Sequence, residues 1–172
     1  DYEQYLKTRG IFASWRMSTL NNKVVTLLGG RFEATDYTRD NRGLNTFETF
    51  SNEGFTPTAG LNVYLHPQLT FFTNYSQSYY PVTRTGFDDS GDRIEGGLPN
   101  EEGSGTDVGF KSRLFDGRLS FTATYFTIQR KNVPYLVDFP AGTDGASVPS
   151  AYRYQTAGLI EGDGFEWDVT VK

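Results

Sequence analysis

The 172 residues contain no cysteine, one methionine and one histidine. The absence of thiols excludes a disulfide framework and thiolate metal sites. His66 is the sole histidine, so neither a histidine cluster for metal nor a Ser-His-Asp relay is visible, and the residue reads as part of a His-Pro turn. Long hydrophobic runs are missing too: the longest uncharged apolar stretch is Val24 to Gly30, and mean hydropathy is −0.51. A transmembrane helix needs roughly 20 such residues. A membrane β-barrel stays open, because only alternate residues of each strand meet lipid. Charge of one sign is scarce: 16 Lys and Arg stand against 21 Asp and Glu, a net −5, which gives no basic footprint for nucleic acid. No glycine-rich loop opens a helix to cradle phosphate. The chain starts Asp1-Tyr2-Glu3-Gln4 without signal-peptide character, so either a mature chain or a piece of a longer one is expected.

What the sequence does have is 19 glycines, 11 tyrosines and 14 phenylalanines. Aromatics suit a pleated surface and glycines supply turns, so an all-β chain is expected. Strict alternation of apolar and polar residues identifies the strands. Leu69, Phe71, Thr73 and Tyr75 oppose Gln68, Thr70, Asn74 and Ser76; Leu119, Phe121, Ala123 and Tyr125 oppose Arg118, Ser120, Thr122 and Thr124. The same split occurs over Phe55–His66, over Asp107–Phe115, at Phe165, Trp167, Val169 and Val171, and near the start at Ile11, Ala13, Trp15 and Met17. The segment from Lys23 to Tyr37 is less clean, since Val25 and Leu27 fall on the charged side. About seven strands are counted.

Tight links are expected at Asn21-Asn22, at His66-Pro67-Gln68 and at Asp116-Gly117. Long links are expected at about 38 to 54, 81 to 105 and 136 to 151. Short and long alternate, so in an antiparallel meander one rim carries turns and the other carries loops, as in an outer-membrane barrel. Arg16, Lys23, Arg31, Glu33, Asp107, Lys111, Arg113, Arg118, Glu166 and Asp168 share the polar side. In a soluble β-sandwich that side is solvated; in a membrane barrel it lines a wet lumen while the apolar side meets lipid. An eight-stranded structural or small-molecule barrel also fits the length. Tyr79, Tyr80, Tyr125, Tyr135, Phe55 and Trp15 lie near expected strand ends, as an interfacial girdle would.

One family comes into view from the residues. Thr56-Pro57-Thr58-Ala59-Gly60-Leu61-Asn62-Val63-Tyr64, a turn, then Leu69-Thr70-Phe71-Phe72-Thr73-Asn74-Tyr75-Ser76-Gln77-Ser78-Tyr79-Tyr80-Pro81 resembles barrel strands of TonB-dependent siderophore receptors. Gly29-Gly30-Arg31-Phe32, Gly97-Leu98-Pro99-Asn100-Glu101, Gly109-Phe110-Lys111, Phe115-Asp116-Gly117-Arg118-Leu119-Ser120-Phe121, Asn132-Val133 and Gly164-Phe165-Glu166 resemble further signals of that family in the same order. Thr58 and Asp107 stand where the family usually has arginine and glutamate.

The resemblance implies an antiparallel up-and-down transmembrane β-barrel, of which the whole chain, 1–172, forms one part. Such a receptor has about 22 strands. The plug domain and the remaining strands are then expected outside this sequence. It implies a receptor of the bacterial outer membrane, in contact with outer-membrane lipid, that imports a ferric siderophore or similar chelate held by outer loops and plug. The energy-transducing TonB complex acts through the plug, without bond chemistry and without a cofactor. A cobalamin or glycan substrate is the alternative within the family.

Iron chelates are often anionic and flat enough to stack, so aromatic and basic groups near the outer rim are the ligand-binding candidates: Tyr79, Tyr80, Arg84, Arg130, Tyr135, Phe139 and Tyr154. For each, a girdle or loop-packing role is the alternative. No catalytic or metal-binding residue is expected, and Asp88-Asp89 and Glu101-Glu102 read as solvated loop charge rather than Ca²⁺ ligands.

Overall fold

A computed structural model describes residues 2–41, 43, 46–82, 86–88, 94, 97–138, 152–156 and 158–172. Seven strands form one antiparallel sheet in which each pairs with the next: β1 (Tyr2–Thr19), β2 (Val24–Asn41), β3 (Thr46–His66), β4 (Leu69–Tyr80), β5 (Glu101–Leu114), β6 (Leu119–Lys131) and, after an insertion, β9 (Leu159–Val171). The insertion between β6 and β9 is a separate two-stranded ladder of β7 (Pro134–Asp138) and β8 (Tyr152–Thr156). No helix long and apolar enough to cross a membrane occurs among the described residues.

The expected tight turns close β1–β2, β3–β4 and β5–β6 along one rim. At the first, Leu20, Asn21 and Asn22 all take positive φ (52°, 54° and 65°), and the Lys23 amide donates to the Leu20 carbonyl at 3.1 Å. Phe115, Asp116 and Gly117 repeat this at the third, where the Arg118 amide donates to the Phe115 carbonyl at 3.1 Å. Asparagine, aspartate and glycine tolerate this left-handed region best. His66 sits in the middle turn, its Nδ1 accepting from the Gln68 amide at 3.3 Å, beside a register shift at Tyr64/His66.

The opposite rim differs from expectation. The stretch 38 to 54 is mostly strand: β2 and β3 pair without interruption from Val24↔Val63 to Asn41↔Thr46. Only residues 42–45 link them, so link lengths do not strictly alternate. Likewise β1 begins at Tyr2, β5 at Glu101 and β9 at Leu159, earlier than the alternation suggested. Polar and charged residues predominate on both faces of the β1–β3 extension. Arg9 meets Asp36 at 2.9 Å and Ser51 donates to Asp36 at 2.9 Å on one face; on the other Arg39 meets Glu48 at 3.3 Å and Tyr37 packs on Phe50 at 6.2 Å. Thr35, Tyr37 and Phe50 are buried here.

Along the rest of the sheet one face is mainly apolar and the other mainly polar. Register places Met17, Thr26, Leu61, Thr73, Val108, Tyr125 and Phe165 in one row across all seven strands. Neighbouring positions on that face carry Trp15, Leu28, Ala59, Val63, Phe71, Phe110 and Trp167. Rings meet across strands at Phe71–Phe110 (5.4 Å), Phe121–Trp167 (5.6 Å) and Tyr125–Phe165 (4.9 Å), each pair adding roughly 0.5–1.5 kcal/mol beyond area burial. Trp15, Phe165 and Trp167 remain mostly exposed on this apolar face. An apolar surface that spans seven strands, with none of the other described elements packed over it, is far larger than the patches soluble domains tolerate.

The other face carries Arg16, Arg31, Glu33, Asp107, Lys111, Arg113, Glu166 and Asp168, as the alternation indicated, with Phe12, Val25, Leu27 and Phe126 among them. Phe72 lies on it as well, its ring over Gly109 and the Lys111 ammonium 4.4 Å above the ring centroid.

Candidate functional site

The polar face is recessed toward its loop rim. One register row there reads Ser14, Gly29, Thr58, Ser76, Gly105, Ile128 and Gly162. Small residues on six of the seven strands, all but β6 with Ile128, leave a low stretch of wall. It deepens over β4, β5 and β6 into a trough of about 490 Å³. Gly103 and Gly105 form its floor, Ser76 and Ser78 one side, and Ile128 and Arg130 the other. A Cβ at Gly105 would meet only the Thr127 carbonyl, at 3.9 Å, and a Cβ at Gly162 would meet nothing within 4 Å. Packing within this chain therefore does not require glycine at either position; what their absence of side chain supplies is space.

Tyr80, Glu101 and Arg130 close the trough at its outer end. Tyr80 faces Glu101 in the β4–β5 register and is 69% exposed. Arg130 lies opposite Gly103 and reaches diagonally to Glu101, its Nε donating to Oε1 at 2.8 Å and a terminal nitrogen to the same oxygen. Glu101 thus belongs to β5 and an ion pair, not to a solvated loop as expected from sequence.

Beside the trough the wall opens. Pairing of β3 with β4 stops at Thr58↔Ser76, although β4 runs on to Tyr80 and β3 starts at Thr46. Two side chains bridge the gap. Tyr79 lays its ring on Gly54 and donates its hydroxyl to the Glu33 carbonyl at 3.2 Å, and Asn100 donates to the Glu53 carbonyl at 3.1 Å. Tyr79 and Tyr80 are consequently wall and trough residues, not members of an outer girdle. Trp15, Phe55 and Tyr125 do lie on the apolar face.

The segments beyond the rim are tied to the sheet and to each other. Asn132 donates to the Asn100 carbonyl at 3.0 Å, and Gln155 on β8 to the Asp88 carbonyl at 3.3 Å. Tyr135 sits on β7 and donates to Gln155 Oε1 at 3.1 Å, so it is a residue of the loop ladder and not of a girdle. Of the seven sequence candidates, Tyr79, Tyr80 and Arg130 come together at the trough. Tyr135 stands apart in the ladder. Tyr154 is placed in β8 by its backbone only, and Arg84 and Phe139 lie outside the described residues. Sequence reasoning missed Glu101 as a site residue and missed the small-residue row, because both depend on cross-strand register. No group of three or more metal-ligating side chains occurs among the described residues.

Comparison with known proteins accords with this geometry. A family model described as TonB dependent receptor-like, beta-barrel, matches residues 1–172. The metal-pseudopaline receptor CntO of Pseudomonas aeruginosa strain UCBPP-PA14 is 32% identical over 153 residues, which are 85% of this chain and 19% of that protein. The chain thus spans about a fifth of the length of the curated relatives it matches. Among solved structures, the ferripyoverdine receptor of the outer membrane of Pseudomonas aeruginosa, bound to ferripyoverdine, superposes with a TM-score of 0.75 at 20% identity, over 98% of this chain and 21% of that chain. BauA, the ferric preacinetobactin receptor from Acinetobacter baumannii, gives 0.67 at 19% identity, over 98% and 23%. These structures share the fold. They identify the seven-stranded sheet as part of a barrel wall, and the soluble-sandwich and eight-stranded readings fall away. An apolar face turned to lipid and a recessed polar face turned inward are what such a wall requires, and the chain belongs to the TonB-dependent receptor β-barrel family.

Proposed function

We propose that this chain is part of an outer-membrane receptor that imports a ferric siderophore or a similar metal chelate, driven by the TonB complex through a plug domain. The match of the whole chain to the receptor-barrel family carries this reading. The relative named as a metal-pseudopaline receptor and the fold neighbours named as ferric-chelate receptors support a chelate as cargo. The polar face supports it as well: a trough of about 490 Å³ is within the size of pockets that take small molecules. Its lining of serine hydroxyls and two tyrosines can bind and release a ligand without changing any bond. The wall residues around it act by position: Tyr79 and Asn100 keep the β3–β4 gap shut, and the small-residue row keeps the trough open.

The reading is tested by deleting the gene under iron limitation and supplying radiolabelled ferric chelates one at a time. Loss of uptake of one chelate, restored by the wild-type gene and only when TonB is present, is the expected result. Unchanged uptake of every chelate together with lost uptake of a cobalamin or glycan would move the protein to another cargo within the family.

A further inference from the structure

Arg130 is the one cation among the described residues lining the trough, and Glu101 the one anion. They are joined, with both the Nε and a terminal nitrogen of Arg130 on Glu101 Oε1. Glu101 is the more enclosed partner, with 17% of its side chain exposed against 52% for Arg130. The arginine charge is therefore already answered where it meets the trough. An anionic group entering there gains little from Arg130 and meets the Glu101 carboxylate at close range, where like charges repel with little water between them. What remains for a ligand is the Ser76 and Ser78 hydroxyls, with the Tyr80 ring and Ile128 beside them, since the backbone of Gly103 and Gly105 is taken up by pairing with β4 and β6. Those groups suit an uncharged hydrogen-bonding moiety.

We infer that the trough receives an uncharged, hydrogen-bonding part of the cargo, and that Glu101 sets this preference by neutralising Arg130. The inference rests on the receptor reading and narrows it: the sequence alone suggested Arg130 as a contact for an anionic chelate, and the ion pair removes that role. The pairing is a specificity device, since the same trough with Glu101 neutral would present an unanswered positive charge.

The test uses the membrane-inserted protein and two iron complexes of similar size, a neutral ferric tris-hydroxamate and a trianionic ferric tris-catecholate, with affinities measured by quenching of intrinsic fluorescence. The wild type is expected to bind the neutral complex better. Glu101→Gln, which keeps size and hydrogen bonding, shifts the ratio of affinities toward the anionic complex by about tenfold, and Arg130→Gln shifts it the other way. The double variant, E101Q with R130Q, restores charge balance and returns the ratio to that of the wild type, which a merely structural role for the pair would not do. A wild-type preference for the trianionic complex, or a ratio that none of the variants moves, overturns the inference and leaves the receptor reading standing. Binding of neither complex by the wild type, with no uptake of any ferric chelate in cells, overturns both.

Discussion

The Tyr79 hydroxyl donates to the backbone carbonyl of Glu33 at 3.2 Å, linking residues 46 apart in sequence across the strand that lies between them. The ring rests on Gly54, the only kind of residue that admits it, because any Cβ there would overlap the ring. This contact stands where β3 and β4 stop pairing, so Tyr79, together with Asn100, does the work of the missing ladder. Replacing Tyr79 by Phe removes the hydrogen bond and keeps the cover, at a cost of about 1 kcal/mol. Tyr79→Ala removes both and costs about 2 kcal/mol or more. Denaturant titration of the folded barrel in detergent should rank the two in that order; equal losses would show that the ring contributes nothing.

Filling the trough should separate binding from folding. Gly105→Val places a β-branched side chain whose Cβ has only the Thr127 carbonyl within 4 Å, at 3.9 Å. Barrel stability is expected to hold while cargo affinity falls about tenfold. Gly109→Val is the contrast: its side chain would run into the Phe72 ring, 2.7 Å from the first added carbon, and into the Ala123 carbonyl. That variant should fail to assemble, read as loss of the heat-modifiable folded band on a gel.

The two faces should respond oppositely to charge. Val108 lies in the middle of the apolar row and Thr122 on the polar face opposite Lys111 and Asp168. Val108→Arg should cost about 2–4 kcal/mol of stability in lipid vesicles, the range for a charge near the bilayer midplane. Thr122→Arg should be nearly neutral. Equal effects would contradict the assignment of the apolar face to lipid.

Asn132 combines a backbone φ of 57° with a side-chain bond to the Asn100 carbonyl at 3.0 Å. Asn132→Gly keeps the backbone conformation and loses the bond; Asn132→Ala loses the bond and strains the backbone by a further ~1 kcal/mol. Hydrogen exchange at residues 97–101 should quicken in both, and only the alanine variant should also destabilise the start of the loop ladder.

Most of the sheet within the apolar band was legible in the sequence. Alternation appears wherever the two faces of a strand meet different media, and the runs around Leu61, Phe71, Phe110, Phe121 and Trp167 show it. It fades where both faces meet water. That is why the stretch 38 to 54 read as a loop although Arg39, Glu48, Asp36 and Ser51 knit it into an extended ladder. The turns at Asn21-Asn22, Pro67 and Asp116-Gly117 were legible for a local reason, since their conformations favour those residue types.

The site was legible only in part. Tyr79, Tyr80 and Arg130 stood out as aromatic and basic residues near strand ends, yet their roles follow from neighbours that are distant in sequence. Arg130 meets a carboxylate 29 residues away, and Tyr79 a carbonyl 46 away. Side-chain period, turn chemistry and family were written in the order of the residues, because each depends on neighbours along the chain or on the contrast between lipid and water. Which charges cancel, which glycines open a trough and where the wall needs a side chain to close it were decided by register between strands, which brings together residues that no local pattern relates.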